Sequence, residues 1–208
     1  MKKRIAVLVS GGGTNLQALL EAEEAGKIPH GEIAMVVSNN PGAYALERAK
    51  NFGVPAACIN KKELGSQAAF EAQLQAVLER NGTDLIILAG FMCILSENFT
   101  SKWPRRIINV HPALIPSFCG EGYYGLHVHE KALQYGVKLS GATVHFVTEE
   151  CDGGPIIAQQ AVPVLPGDTP EILQKRIMEQ AEWKILPEAV SLFCQGRITV
   201  EGRTVIIK

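Results

Sequence analysis

The sequence predicts an α/β fold: a Rossmann-like, mostly parallel twisted sheet with helices on both faces and antiparallel strands toward the carboxyl-terminal part. Three observations lead there. Short apolar runs alternate with helical patterns through the first half, the arrangement of right-handed βαβ crossovers. The rhythm then changes to two longer strand-like runs joined by a short link, which favours antiparallel pairing. A glycine-rich loop follows the first apolar run and leads straight into a helical pattern, as at the ligand edge of an open parallel sheet.

Taken in order, residues 5–9, 33–37, 56–59, 85–88 and 107–110 are short apolar runs of strand length, broken only by Asn109 and suited to strands covered on both faces. Between them, residues 16–25, 43–52, 68–80 and 97–103 carry helical periodicity. Residues 128–135 suggest another helix and 140–147 and 155–164 the two longer strands, and 170–193 a helical stretch interrupted at Pro187. The tail, 197–208, turns at Glu201-Gly202 between two β-rich pieces and predicts a small hairpin. The whole is expected to be one domain over 1–208, with a nucleotide-binding-like half over 1–110 and a part over 111–208 that completes the site.

With 47% hydrophobic residues, 208 residues supply a sizeable core, and a net charge of −1 gives no basic footprint for nucleic acid or an anionic membrane. No apolar run approaches the roughly 18 residues needed to cross a bilayer. The basic start, Met1-Lys2-Lys3-Arg4, runs into a strand closed by glycines rather than a signal peptide. Cys58, Cys93, Cys119, Cys151 and Cys194 are scattered and odd in number, which points to a reducing, cytoplasmic compartment. The partners expected are small molecules, acting on a monomer or homodimer.

The chemistry concentrates in Ile107 to Pro116. Asn109 and His111 lie two apart, so a strand puts both side chains on one face, and Pro112 ends that strand with the imidazole at the carboxyl edge. An amide donor beside an imidazole can stabilise the oxyanion formed when a nucleophile attacks a carbonyl, although a turn cap and a hydrogen-bonded strand end would look the same. Asp152, before Gly153 and Gly154, is either a carboxylate free to meet an imidazole or an ordinary Asp-Gly turn. The loop Ser10-Gly11-Gly12-Gly13-Thr14-Asn15 offers backbone N–H groups and a helix start to an anion, with Thr14 or Asn15 as N-cap. It lacks the third glycine and the distal acidic residue of a dinucleotide site, and the Gly-Lys-Ser/Thr of a Walker loop, so a single phosphate is expected. The apolar connection Ala89 to Ser96 is either core or the lining of a slot for a flat ligand. His127 and His129 lack a spaced third ligand, so no metal is expected, and nothing marks Cys119 or Cys151 as an activated nucleophile.

Together, Ser10-Gly11-Gly12-Gly13-Thr14-Asn15-Leu16-Gln17-Ala18, Leu88-Ala89-Gly90-Phe91-Met92, Ile108-Asn109-Val110-His111-Pro112 and Asp152-Gly153-Gly154-Pro155-Ile156 resemble the phosphoribosylglycinamide formyltransferase family, one of the 10-formyltetrahydrofolate enzymes, over nearly the whole chain. The resemblance implies Asn109, His111 and Asp152 as catalytic residues and 10-formyltetrahydrofolate as co-substrate, without a metal. It implies a ribonucleotide phosphate on Gly11, Gly12, Gly13, Thr14 and Asn15, with Glu182 near the ribose. It also implies a pterin slot lined by Met92, Ile94 and Leu95 and closed by the loop from Val147 to Asp152. Cys93 stands where many relatives carry arginine, Gln67 near where some place an arginine for the folate tail, and Glu179 where some have a basic residue. The segment from Ser117 to Gly125 is longer than in the shortest members. The implied activity is formyl transfer to glycinamide ribonucleotide in purine biosynthesis. Formyltetrahydrofolate hydrolysis, or a non-catalytic folate- or nucleotide-binding module, is the alternative.

Overall fold

The computed structural model describes all 208 residues. A seven-stranded sheet forms its centre, in the order β3-β2-β1-β4-β5-β6-β7. The strands are β1 (Lys3–Val9), β2 (Gly31–Ser38), β3 (Ala56–Cys58), β4 (Leu85–Leu88), β5 (Ile107–His111), β6 (Leu139–Phe146) and β7 (Ile156–Pro163). The first five pair in parallel, and β6 and β7 pair antiparallel. The carboxyl-terminal residues form the separate antiparallel hairpin β8 (Ile198–Glu201) and β9 (Thr204–Ile207).

Covering helices follow from the apolar faces of the intervening segments. Helices α1 (Thr14–Glu24) and α2 (Tyr44–Asn51) pack on one side of the sheet through Leu16, Leu19, Leu20, Ala45 and Ala49. After the short α3 (Lys61–Leu64), α4 (Gln67–Arg80) and α5 (Glu97–Thr100) cover the opposite side through Phe70, Leu74, Leu78 and Phe99. Helix α6 (Leu126–Tyr135) follows β5, and α7 (Pro170–Ile177) and α8 (Trp183–Cys194) return to the first side. Side chains alternate along β1, sending Ile5, Val7 and Val9 to one cluster and Ala6 and Leu8 to the other. That alternation explains why the strand reads as an unbroken apolar run.

Three local expectations change. The long final helix is interrupted at a π-turn, Met178–Glu182, and Pro187 lies inside α8. Pro187 has no N–H for the Trp183 carbonyl, yet the helix runs through it to Cys194, so the expected break is not there. The expected helix over 97–103 ends at Thr100 in tight turns. The four-residue α3 is an addition, started by Asn60, whose side chain accepts from Lys62 N–H.

Candidate active site

Strand β5 delivers Asn109 and His111 to the carboxyl edge of the sheet. The antiparallel register with β6 sets Asn109 opposite His145 and His111 opposite Thr143. Thr143 is structural: its hydroxyl donates to Ala113 O at 2.7 Å and accepts from Ile115 N–H at 3.1 Å and Gln159 Nε2 at 3.0 Å. These bonds hold the turn that begins at Pro112.

Asp152 completes the group from the loop between β6 and β7. Its backbone takes a left-handed φ of 55°, which Asp adopts more readily than most residues. Gly154 brings the loop in close, since a Cβ there would lie 1.8 Å from Phe146 O. As a result Asp152 Oδ2 lies 3.5 Å from His111 Nδ1, and Oδ1 lies 3.4 Å from Asn109 Nδ2 and 3.6 Å from His145 Nε2.

Hydrogen-bond partners define the imidazole roles. His145 Nδ1 faces Phe146 O at 2.9 Å and therefore carries its proton, leaving Nε2 to accept from Asn109 Nδ2 at 3.2 Å. His111 Nε2 donates to Phe118 O at 2.8 Å. Gly120 N–H donates to Asp152 Oδ2 at 2.9 Å. The segment from Ser117 to Gly125 thus grips both His111 and Asp152 through its backbone, while Phe118 packs edge-on against Tyr135 at 5.9 Å.

Burial lowers the pKa of His111, opposed by the Asp152 carboxylate and the Phe118 carbonyl. Burial works to raise that of Asp152, but His111 and the Gly120 N–H hold the carboxyl below the usual range; His145, whose Nε2 accepts from Asn109, has no proton to offer it. Burial raises Cys119 and Cys151, and the neighbouring carboxylates add to this, so neither thiol is activated. His127 and His129 diverge. His127 is exposed and pairs with Glu130 at 3.1 Å, whereas His129 is buried with neither ring nitrogen bonded and has a pKa pushed down to about 4 by burial and then by His111.

The glycine loop lies at the end of β1 on the same edge. Gly13, not Thr14 or Asn15, occupies the N-cap position of α1, because the chain enters the helix with φ 72° and a Cβ there would sit 2.6 Å from Ala45 Cβ. Cβ atoms at Gly11 and Gly12 would meet nothing within 4 Å. The backbone N–H groups of Gly11, Gly12, Gly13, Thr14 and Asn15 donate to no acceptor in the chain. Asn15 turns inward, its Nδ2 donating to Glu182 Oε2 at 2.6 Å. Burial pushes the Glu182 carboxyl up to about 7, with Asn15 working in the other direction.

The apolar connection after β4 divides between buried and exposed side chains. Leu95 is core, 7% exposed, and Val147 packs against the same cluster, whereas Met92 and Ile94 are 56% and 62% exposed. Met92 and Ile94 are thus the two side chains of this connection that are free to meet a ligand. The loop is pinned by Met92 N–H donating to Ser10 Oγ at 2.8 Å, and Cys93 Sγ accepts from Asn39 Nδ2 at 2.9 Å. Gln67 Nε2 is held by Glu71 Oε1 at 2.5 Å and Ile94 O at 3.1 Å.

Sequence reasoning missed His145 and the backbone groups of Phe118 and Gly120. For His145 there was a signal: a titratable side chain two residues from Thr143, on the same face of a strand. Backbone donors and acceptors leave no signal of that kind.

The chain is similar to known proteins in both sequence and fold. A family model described as formyl transferase matches residues 3–190. The phosphoribosylglycinamide formyltransferase of Haemophilus influenzae is 40% identical over 96% of this chain and 91% of its own length. The trifunctional purine biosynthetic protein adenosine-3 of Gallus gallus is 44% identical over 96% of this chain, which spans only 19% of that longer protein. A crystal structure of glycinamide ribonucleotide transformylase 1 from Symbiobacterium toebii superposes with a TM-score of 0.93 at 47% identity, covering 99% of this chain and 94% of that one. On a match that takes in almost all its strands and helices, and on relatives of its own length, this chain belongs to the formyl transferase family.

Proposed function

We propose that this protein transfers the formyl group of 10-formyltetrahydrofolate to the amine of glycinamide ribonucleotide, giving formylglycinamide ribonucleotide and tetrahydrofolate, as a cytoplasmic step of de novo purine synthesis. The observation that carries the reading is the convergence of Asn109, His111 and Asp152 on the sheet edge that also presents the unpaired N–H groups of Gly11 to Asn15. The first group suits acyl transfer, the second a phosphate.

The amine attacks the formyl carbon directly, and the oxyanion that forms is met by Asn109 Nδ2 and by His111 as imidazolium, the form that burial disfavours and that the Asp152 carboxylate and the oxyanion together favour. Asn109 spends one amide hydrogen on His145 and holds the other at the longer 3.4 Å from Asp152, so the second is the one the oxyanion takes. His111 Nε2–H exchanges the Phe118 carbonyl for the oxyanion. Asp152, ionised well below neutral pH, favours the imidazolium and assists transfer of the amine proton to the departing folate nitrogen. Met92 and Ile94 offer apolar area to the pterin, and Glu182 accepts from a ribose hydroxyl. Neither a metal nor a covalent enzyme intermediate enters this scheme.

Product analysis tests the reading. Mixing the protein with 10-formyltetrahydrofolate and glycinamide ribonucleotide should give formylated ribonucleotide and tetrahydrofolate in equal amounts. Free formate in the absence of acceptor would make it a hydrolase, and absence of turnover with both substrates a binding module.

A further inference from the structure

Helix α2 contributes nothing to the group around His111, yet it holds the glycine loop from outside. Ala45 N–H donates to Gly11 O at 3.1 Å, and Arg48 Nε donates to Gly12 O at 2.8 Å. Arg48 is itself fixed, its Nη1 donating to Gln17 Oε1 at 2.9 Å and its guanidinium lying 5.0 Å from the Tyr44 ring centre.

In a trans peptide the carbonyl of one residue and the N–H of the next point in opposite directions. Drawing the carbonyls of Gly11 and Gly12 outward toward α2 therefore turns the N–H groups of Gly12 and Gly13 the other way. Neither N–H has an acceptor in the chain. A cation on Gly12 O also polarises that peptide and makes the Gly13 N–H a stronger donor. Arg48 is the one cationic side chain hydrogen-bonded to residues 10–15, and Glu179 adds negative charge in the π-turn that ends at Glu182.

We infer that Arg48 is a positioning residue for the ribonucleotide phosphate, aiming and polarising the Gly12–Gly13 peptide from behind the loop without touching the ligand. This rests on the phosphate being held by the Gly11 to Asn15 loop, and on no property of the formyl-transfer group.

Steady-state kinetics of Arg48→Ala with both substrates, with inorganic phosphate as inhibitor against glycinamide ribonucleotide, tests it. The KM for the ribonucleotide and the inhibition constant of phosphate should rise together, by up to about 10-fold, a fraction of what losing a direct charge-assisted hydrogen bond to the ligand would cost. The loss should appear in that KM rather than in kcat or the folate KM. Arg48→Lys, which keeps a charge and one donor, should recover much of the affinity. Unchanged ribonucleotide KM and phosphate inhibition in Arg48→Ala would overturn the assignment, as would equal rises in both substrate KM values with a lowered unfolding midpoint and no recovery by lysine. Gly12→Asp separates this from the reading beneath it. If Gly12→Asp weakens phosphate binding while Arg48→Ala does not, only the role of Arg48 fails; if neither does, the loop is not the phosphate site.

Discussion

Replacing Glu182 by glutamine should make the protein more stable at alkaline pH and a poorer binder of ribonucleotide. The carboxylate is 5% exposed, and its one hydrogen bond from the chain comes from Asn15 Nδ2. Its pKa rises from 4.5 to about 7. At 1.36 kcal/mol per unit, the shift amounts to about 3 kcal/mol between the two protonation states. The folded chain holds this proton more tightly than the unfolded chain. Its contribution to stability is therefore fully present below about 4.5 and is lost as pH rises through about 7. Glutamine mimics the protonated acid at every pH. The variant should match the wild type near pH 4.5 and exceed it by up to about 3 kcal/mol at pH 8, roughly 6–12 °C in Tm for a chain of this size. Thermal unfolding of both proteins from pH 4.5 to 8.5, read as a difference so that other titrating groups cancel, measures it. Parallel stability curves would refute the reasoning, because Glu182 would then titrate normally in the fold. The KM for glycinamide ribonucleotide should rise in the same variant, since an amide oxygen accepts more weakly than a carboxylate.

Further outcomes follow from the same geometry. Asn109→Ala and His111→Ala should each lower kcat by about 100- to 1,000-fold with little change in either KM, and the double variant should lose less than the product of the two; near-normal turnover by His111→Ala would remove it from the mechanism. Ile94→Asp, at an exposed position, should raise the folate KM with an almost unchanged unfolding midpoint, whereas Leu95→Asp should lower the midpoint sharply, by burying a charge in the core. Gly154→Ala should reduce kcat, because its Cβ would meet Phe146 O at 1.8 Å and push the Asp152 loop away from His111; unchanged kinetics would show that the loop adapts.

Much of the fold was legible because the central strands are apolar on both faces and each is followed by a helical pattern. Asn109 and His111 were readable as a pair because strand periodicity and the ensuing proline fix their face and their edge. His145 was not, because its place beside Asn109 depends on the β5–β6 register, across the intervening turn, the Ser117 to Gly125 segment and α6. Leu95 could not be told from Ile94 by composition: adjacent apolar residues in an irregular connection have no period to separate the buried from the exposed. The π-turn was hidden because it puts no proline or glycine in its own five residues, MEQAE, while Pro187 drew the expected break downstream.

The alternation of β1 between two apolar clusters has a dynamic consequence. β1, β4 and β5 are the middle three strands of the sheet, and both β1 and β4 contribute side chains to each cluster, Leu85 and Ile87 to one and Ile86 and Leu88 to the other. Neither layer can loosen without exposing strands that the other layer also needs, so amide hydrogens in β1 and β4 should exchange only through global unfolding. The edge strands β3 and β7 have one free flank each and should exchange first. The glycine loop and the Met92 connection hang from the carboxyl ends of β1 and β4, and His111 ends their neighbour β5. Motion in the site is thereby confined to the loops, while the points from which they spring stay fixed over the lifetime of the folded state.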